Sequence, residues 1–168
     1  DAGDKPALLR ELVRYATLAP SSHNSQCWKF HIEDRSISIL PDLSRRCPAV
    51  DPDDHHLFVS LGCATENLIQ AALANGLNGT VVVDGSAGKT VRVLLEPTRA
   101  VATRLFDAIP DRQSTRGECD GKPISPSELA LLERAGTGEG VGIILLTGRA
   151  PMEKVLEYVV QGNTAQMN

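Results

Sequence analysis

Leu57, Leu61, Ala64, Leu68 and Ala72 recur at spacings of four, three, four and four, the pattern of a helix with one apolar face. The stripe predicts a long helix over residues 53–75, with Gly76 placed to end it. An apolar face of that length has to be covered by a second layer, so the remaining chain must supply strands or helices to pack on it. The 168 residues are enough for one compact domain, or part of a larger one, with a sizeable core.

The other periodicities provide that layer. A helix is predicted over 5–18, capped by Asp4, with Pro6 in its first turn and Leu8, Leu9, Leu12, Val13 and Ala16 on one face; Pro20 ends it. Residues 28–32 and 36–40 alternate as strands do, and Glu33-Asp34-Arg35 between them reads as the turn of a hairpin. Residues 80–84 and 90–96 are β-branched strands joined by 85–89, and Thr98 is expected to open a helix reaching 109. Ser125-Pro126-Ser127-Glu128 is a capping box with proline at the first helical position, which predicts a helix to 135. A glycine-rich stretch, 136–140, then precedes a buried strand over 141–146, and Pro151 starts a last helix to 160. The polar stretch 161–168 after that apolar pattern reads as an interruption. Helices alternating with strands imply an α+β or α/β sandwich around one sheet.

Composition narrows the partners. Lys and Arg total 17 against 21 for Asp and Glu, so the formal net charge of -4 argues against nucleic acid as a partner. No apolar run approaches the roughly 18 residues needed to cross a bilayer, which argues against a membrane. Cys27, Cys47, Cys63 and Cys119 are widely spread with no CxxC pair, and reduced thiols in a cytoplasmic setting are the expectation.

Three apparent chemical signals weaken on inspection. Gly88-Lys89-Thr90 resembles the end of a phosphate-binding loop, but the required earlier glycine is Val83 and the following segment is a strand, so a hairpin turn is expected. Cys47, His55, His56 and Cys63 match no common zinc spacing, and the adjacent histidines of a helix point in different directions. No thiol has a base placed beside it by local sequence, and Glu66 in its apolar helical run is expected to be solvated or paired. No catalytic side chain and no metal site is predicted.

Two polar loops stand out. Pro20, Ser21, Ser22, Asn24 and Gln26 concentrate hydroxyls and amides after a helix and before the strand that opens at Trp28, a set able to offer donors and acceptors to a flat heteroaromatic ligand. Arg112-Gln113-Ser114-Thr115-Arg116 puts two guanidiniums and two hydroxyls within five residues, a plausible phosphate clamp. Read alone, the first is a turn-rich loop with a capping serine and the second a solvated charged loop.

Together they carry a resemblance. Pro-Ser-Ser-x-Asn-x-Gln-x-Trp after an amphipathic helix resembles the flavin-contacting loop of the nitroreductase family, which normally has Pro where this chain has Cys27. Arg-x-Ser-x-Arg, followed by Lys122-Pro123-Ile124 and a capped helix, looks like that family's FMN phosphate segment. A standard nitroreductase has these in the opposite order. The order here resembles the Acg subfamily, duplicated nitroreductase-like proteins in which one chain imitates a two-subunit dimer. Asp42-Leu43-Ser44-Arg45-Arg46, Val50-Asp51-Pro52 and Ser60-Leu61-Gly62-Cys63-Ala64 also look like that subfamily.

The resemblance implies an α+β nitroreductase-like fold, with a central, mainly antiparallel sheet flanked by helices and a pseudo-dimer made by duplication. Residues 1–110 would be the first repeat and 111–168 the beginning of the second, within the same compact unit. Helix, loop and strand over 5–32 have a sequence counterpart in helix, loop and strand over 126–146, each copy keeping half a site. Arg112, Ser114 and Arg116 would bind the FMN phosphate and Gln113 the ribityl chain or ring. Ser21, Ser22, Asn24 and Gln26 would face the flavin from the other side, with Pro20 shaping the turn. The implied reaction takes hydride from NAD(P)H through FMN to a small-molecule electron acceptor, a nitroaromatic or quinone. The alternative is a flavin-sequestering protein with little turnover, with the loop 41–54 as a candidate cover; a third reading is a remnant with no ligand. Acg-like proteins are about twice as long, so a missing C-terminal half or a homodimer partner would complete the site.

Overall fold

The computed structural model describes residues 5–85 and 89–167. The chain divides into two compact units, Asp1–Thr115 and Arg116–Asn168.

In the first unit, helix α1, Lys5–Thr17, leads through a loop to strands β1, Trp28–Ile32, and β2, Ser36–Pro41. Helix α2, His55–Ala74, is followed by β3, Leu77–Asp84, β4, Thr90–Pro97, and a short helix α3, Arg104–Ala108. The four strands form one antiparallel sheet in the order β1-β2-β4-β3. Its register pairs Ile37 with Val93 and Val81 with Val93, so alternate residues of β2, β3 and β4 line one face. On that face Ile37, Ile39 and Val93 are fully buried and Leu95 nearly so. Leu9, Leu12 and Ala16 of α1 and Leu57, Leu61, Ala64, Leu68, Ala71 and Ala72 of α2 complete the same core. The predicted stripe is therefore the helix face that covers the sheet.

Two glycines are needed here. Gly76, at φ +76°, takes the left-handed turn that ends α2, and its amide closes onto the Leu73 carbonyl. Gly79 sits where α2 approaches β3 so closely that a Cβ would lie 3.0 Å from Val93 Cγ1 and 3.3 Å from Ile69 Cγ1.

α2 also corrects one expectation. Its 20 residues, with a mean hydropathy of 1.3 in the most apolar window, are long and apolar enough to cross a bilayer by length and composition. Leu57, Leu61, Ala64, Leu68, Ala71 and Ala72 of this helix belong to the core just described, the composition of a helix that packs against a sheet.

Asp4, the predicted cap of α1, and Gly88 of the glycine–lysine–threonine segment lie outside the described residues. Lys89 and Thr90 lead into β4, not a helix, and the Lys89 ammonium stands 4.6 Å from the Phe58 ring centroid. The helix expected over 98–109 is shorter. Residues 98–103 are not helical because their amides serve the end of α2 and β3, Thr98 N–H bonding to Gly76 O and Val101 N–H to Leu73 O. Thr103 then caps α3, its hydroxyl accepting from Phe106 N–H at 3.1 Å and donating to Gln70 Oε1 at 2.6 Å. β3 starts at Leu77, earlier than the β-branched run that predicted it.

The second unit holds α4, Pro126–Gly136, and α5, Arg149–Met167, the latter longer than the predicted 151–160. α4 begins on the predicted capping box: Ser125 Oγ accepts from Glu128 N–H at 3.3 Å, and Glu128 returns a bond to Ser125 N–H at 2.9 Å. Removing the cap in Ser125→Ala should cost α4 about 1 kcal/mol. Amide exchange over its first turn is expected to accelerate about fivefold, with the first unit unaffected.

The strand expected over 141–146 does not form. One bridge, Gly138 to Val141, closes a tight turn with Gly140 at φ +71°, and no neighbouring strand takes up the backbone beyond it among the described residues. Val141 and Ile144 are 61% and 85% exposed, so the apolar run is not buried either. This part of the second unit therefore holds a helix and a turn, and not the expected strand. Leu146, Met152, Val155, Leu156 and Val159 line an open apolar groove of about 810 Å³ along α5.

Candidate functional site

The loop after α1 is held in an unusual shape. Pro20, which has no N–H to continue the helix, is exposed, and Ser21 is extended at φ −138°. The Ser21 carbonyl accepts from Asn24 N–H at 2.9 Å and its hydroxyl from Gln26 N–H at 2.9 Å. Between these bonds the backbone turns left-handed three times, at His23 (φ 52°), Asn24 (φ 54°) and Gln26 (φ 49°). Asn and His enter that region more readily than most residues; Gln enters it at a cost of about 1 kcal/mol. Clusters of such residues gather at ligand sites, where the surrounding structure enforces them.

The enforcement is visible. Ser60, buried in α2, donates its hydroxyl to His56 O at 2.7 Å and accepts from Ser22 N–H at 3.2 Å, pinning the loop to the helix. Arg45 Nη1 donates to Ser25 O at 3.3 Å, and Asp42 N–H donates to Cys27 O at 2.9 Å, so the segment after β2 braces the loop's far end. Cys27, where the resembling family normally has Pro, is 1% exposed with Sγ 3.8 Å from Leu57 O, and serves the core. The side chains of Ser22, Asn24 and Gln26 make no hydrogen bond among the described residues.

Arg112 arrives at this loop from the other end of the unit. Phe106 of α3 stacks on Tyr15 of α1 with centroids 5.0 Å apart, and Arg112 N–H bonds back to Ala108 O at 2.9 Å. Its Nη2 donates to Leu18 O at 3.2 Å, two residues before Pro20. Two segments 94 residues apart are thereby brought together. One of five guanidinium N–H groups is used, leaving the rest for an anion. Gln113 and Ser114 are exposed in the first unit, and Arg116, exposed, begins the second, so the five-residue segment straddles the boundary.

Sequence reasoning did not place Ser60 or Arg45 in the site. Both lie in segments noted for their resemblance, but only the fold shows that they support the loop.

The brace carries a pH dependence. Asp42 is held at about 2, below its ordinary 3.8, by the Ser44 hydroxyl at 2.6 Å and by Lys29 at 3.0 Å, with the Ser44 amide adding to both against some desolvation. A carboxyl lowered by folding contributes stability above its unfolded value and loses it as pH falls through the folded one. Stability from this contact is therefore expected to vanish between about pH 4 and 2. In Asp42→Asn, acid unfolding followed by circular dichroism should be shallower across that interval. Asp51 caps α2 by accepting from His56 N–H and Leu57 N–H, each at 3.0 Å. Burial opposes its ionisation, and these amides outweigh that to keep its carboxyl below the ordinary value.

The rings of His55 and His56 stand edge to face 5.7 Å apart, and no three His, Cys, Asp or Glu side chains converge on a metal position among the described residues. Glu66 is exposed and accepts from Gln70 Nε2 at 2.7 Å.

No family model matches the chain. Two curated relatives, from two strains of Mycobacterium tuberculosis and each provisionally named an NAD(P)H nitroreductase, are 26% identical to it over 160 residues. The match covers 90% of this chain and 46% of each relative, so the chain spans about half their length. An α+β unit with a four-stranded antiparallel sheet is compatible with a nitroreductase-like fold, and the distant similarity is to proteins carrying that name.

Proposed function

We propose that the chain belongs to an FMN-dependent oxidoreductase of nitroreductase type with Acg-like organisation. The observation that carries this reading is the bond from Arg112 to Leu18 O, which joins the start of the candidate phosphate clamp to the entrance of the candidate flavin loop. The donor set suits FMN: a guanidinium with N–H groups to spare, the hydroxyls of Ser22 and Ser114, and the amides of Asn24 and Gln26 on a backbone held open by left-handed residues. Arg112 and Ser114 would hold the phosphate and Gln113 the ribityl chain. Arg116 is assigned to the same phosphate on the resemblance alone. Ser21 fixes the loop, Pro20 ends the helix before it, and Ser22, Asn24 and Gln26 orient the ribityl chain and the ring. Bound FMN would supply hydride acceptance from NAD(P)H and electron delivery to a nitroaromatic or quinone. No side-chain acid or base is assigned.

Pseudo-dimer formation by duplication, and completion of the site by the rest of a longer chain or a second copy, form part of the same proposal. The uncovered apolar side chains along α5 support it, since apolar surface of that extent marks an interaction face. A cytoplasmic location is proposed on the cysteines, all four of which are free.

A second reading, flavin holding with little turnover, draws on the brace: residues 42–45 are tied to the loop at Ser25 and Cys27, beside the proposed flavin position. The two part on one experiment. Absorbance of the purified protein is recorded before and after FMN, then with NADPH and NADH under anaerobic conditions. Bleaching of bound flavin supports the oxidoreductase; a yellow protein that resists both donors supports holding. Failure to take up FMN, in this chain and in a chain of the relatives' full length, overturns both.

A further inference from the structure

At the end of the first unit away from the Pro20 loop, the start of α1 and the β1–β2 turn enclose a cleft of about 370 Å³. α1 has 13 residues, so the cleft and the loop are separated by about 20 Å of helix. Its floor is apolar: Leu9 and Leu95, each 4% exposed, with Leu8 and Leu77 packed beside them. Its rim is charged, with Lys5, Asp34 and Arg35 at the lip. Lys5 Nζ meets Asp34 Oδ1 at 2.6 Å, bridging the cleft to a neighbouring hollow that Arg10 and Glu33 line.

Charge at the rim does not balance. Glu33 is engaged by the Arg92 guanidinium and accepts from the Ser36 hydroxyl at 2.5 Å, which also holds its carboxyl below the ordinary value. Among the described residues Asp34 is then the one acid left at this rim to face Lys5, Arg10 and Arg35, and it is taken by Lys5. Neither Arg10 nor Arg35 has an ion pair among the described residues. An apolar floor beneath uncompensated guanidiniums is complementary to a molecule with one apolar body and one carboxylate.

We propose that this cleft binds a medium-chain monocarboxylate, its hydrocarbon on Leu8, Leu9, Leu77 and Leu95 and its carboxylate on Arg35. The site is separate from the proposed flavin position and does not depend on the oxidoreductase reading.

The test is calorimetric titration of the full 168-residue chain with octanoate, with octanol as the uncharged control. Expected are saturable binding of one octanoate, at least tenfold weaker binding of octanol, and at least a tenfold loss for octanoate in Arg35→Ala. Asp34→Asn, which frees Lys5, should tighten octanoate binding severalfold, a change of sign that general loss of structure would not produce. Arg35→Ala should leave FMN uptake unchanged. Absence of saturation, equal affinity for octanol and octanoate, or an Arg35→Ala variant that binds as the parent does would overturn the proposal, whatever the flavin experiment shows.

Discussion

Arg112→Ala is expected to weaken FMN binding by about 10- to 100-fold, the loss of one or two charge-assisted hydrogen bonds of roughly 1.5–3 kcal/mol. The structural cost should be small. Arg112 is exposed, and the one carbonyl it leaves, that of Leu18, belongs to a partly exposed residue just past the end of α1. The thermal midpoint should stay within a few degrees of the parent while quenching of FMN fluorescence shifts to higher protein concentration. Arg112→Lys should lie between the two, since a lysine keeps the charge and loses the planar fork. An unaltered FMN titration for Arg112→Ala would remove the residue from the site and leave the Pro20 loop without its partner.

Leu61→Ala should have the largest effect on stability, a loss of about 2–5 kcal/mol. Leu61 is fully buried near the middle of α2, in the cluster that joins α1, α2 and the sheet. Deleting its isobutyl group removes transfer free energy and opens a cavity that a helix clamped between α1 and the strands cannot close. For a domain stable by roughly 5–15 kcal/mol, that is a large fraction of the total. Urea denaturation should show a much lower midpoint with little change in slope. Val59→Ala, two residues away but 52% exposed, should change the midpoint by no more than about 0.5 kcal/mol. Equal effects from the two would mean that α2 packs with a different face.

The elements that were legible in the sequence share a property. α1, α2 and α4 announce themselves through apolar periodicity and caps, and β1 and β2 through alternation about a polar turn, all signals carried by residues a few positions apart. The errors share another. Residues 141–146 have the composition of a buried strand, yet a strand needs a neighbour to take its backbone bonds, and none is present beside them among the described residues. Residues 98–103 have no helix-breaking signal, yet their amides are spent on Gly76 and Leu73. Both outcomes depend on what lies across from the segment, which local pattern does not contain.

The same division runs through the candidate site. Its chemistry, hydroxyls and amides at 21–26 and guanidiniums at 112–116, is visible from residue types alone. The left-handed backbone at His23, Asn24 and Gln26 is not, because non-glycine residues uncommonly adopt it and bonds to Ser21, together with the Ser60 and Arg45 supports, hold the loop there. Nor are the supports, since Ser60 reaches Ser22 across 38 positions and Arg45 reaches Ser25 across 20.

By itself, then, the sequence determined which helices form, which of their faces are apolar, and which polar side chains two loops can offer, because these follow from short-range periodicity and side-chain chemistry. Only the tertiary structure decided which strands find partners, how the Pro20 loop is bent, and that Arg112 stands at the end of α1, because hydrogen-bond satisfaction and packing are settled between segments far apart in the chain.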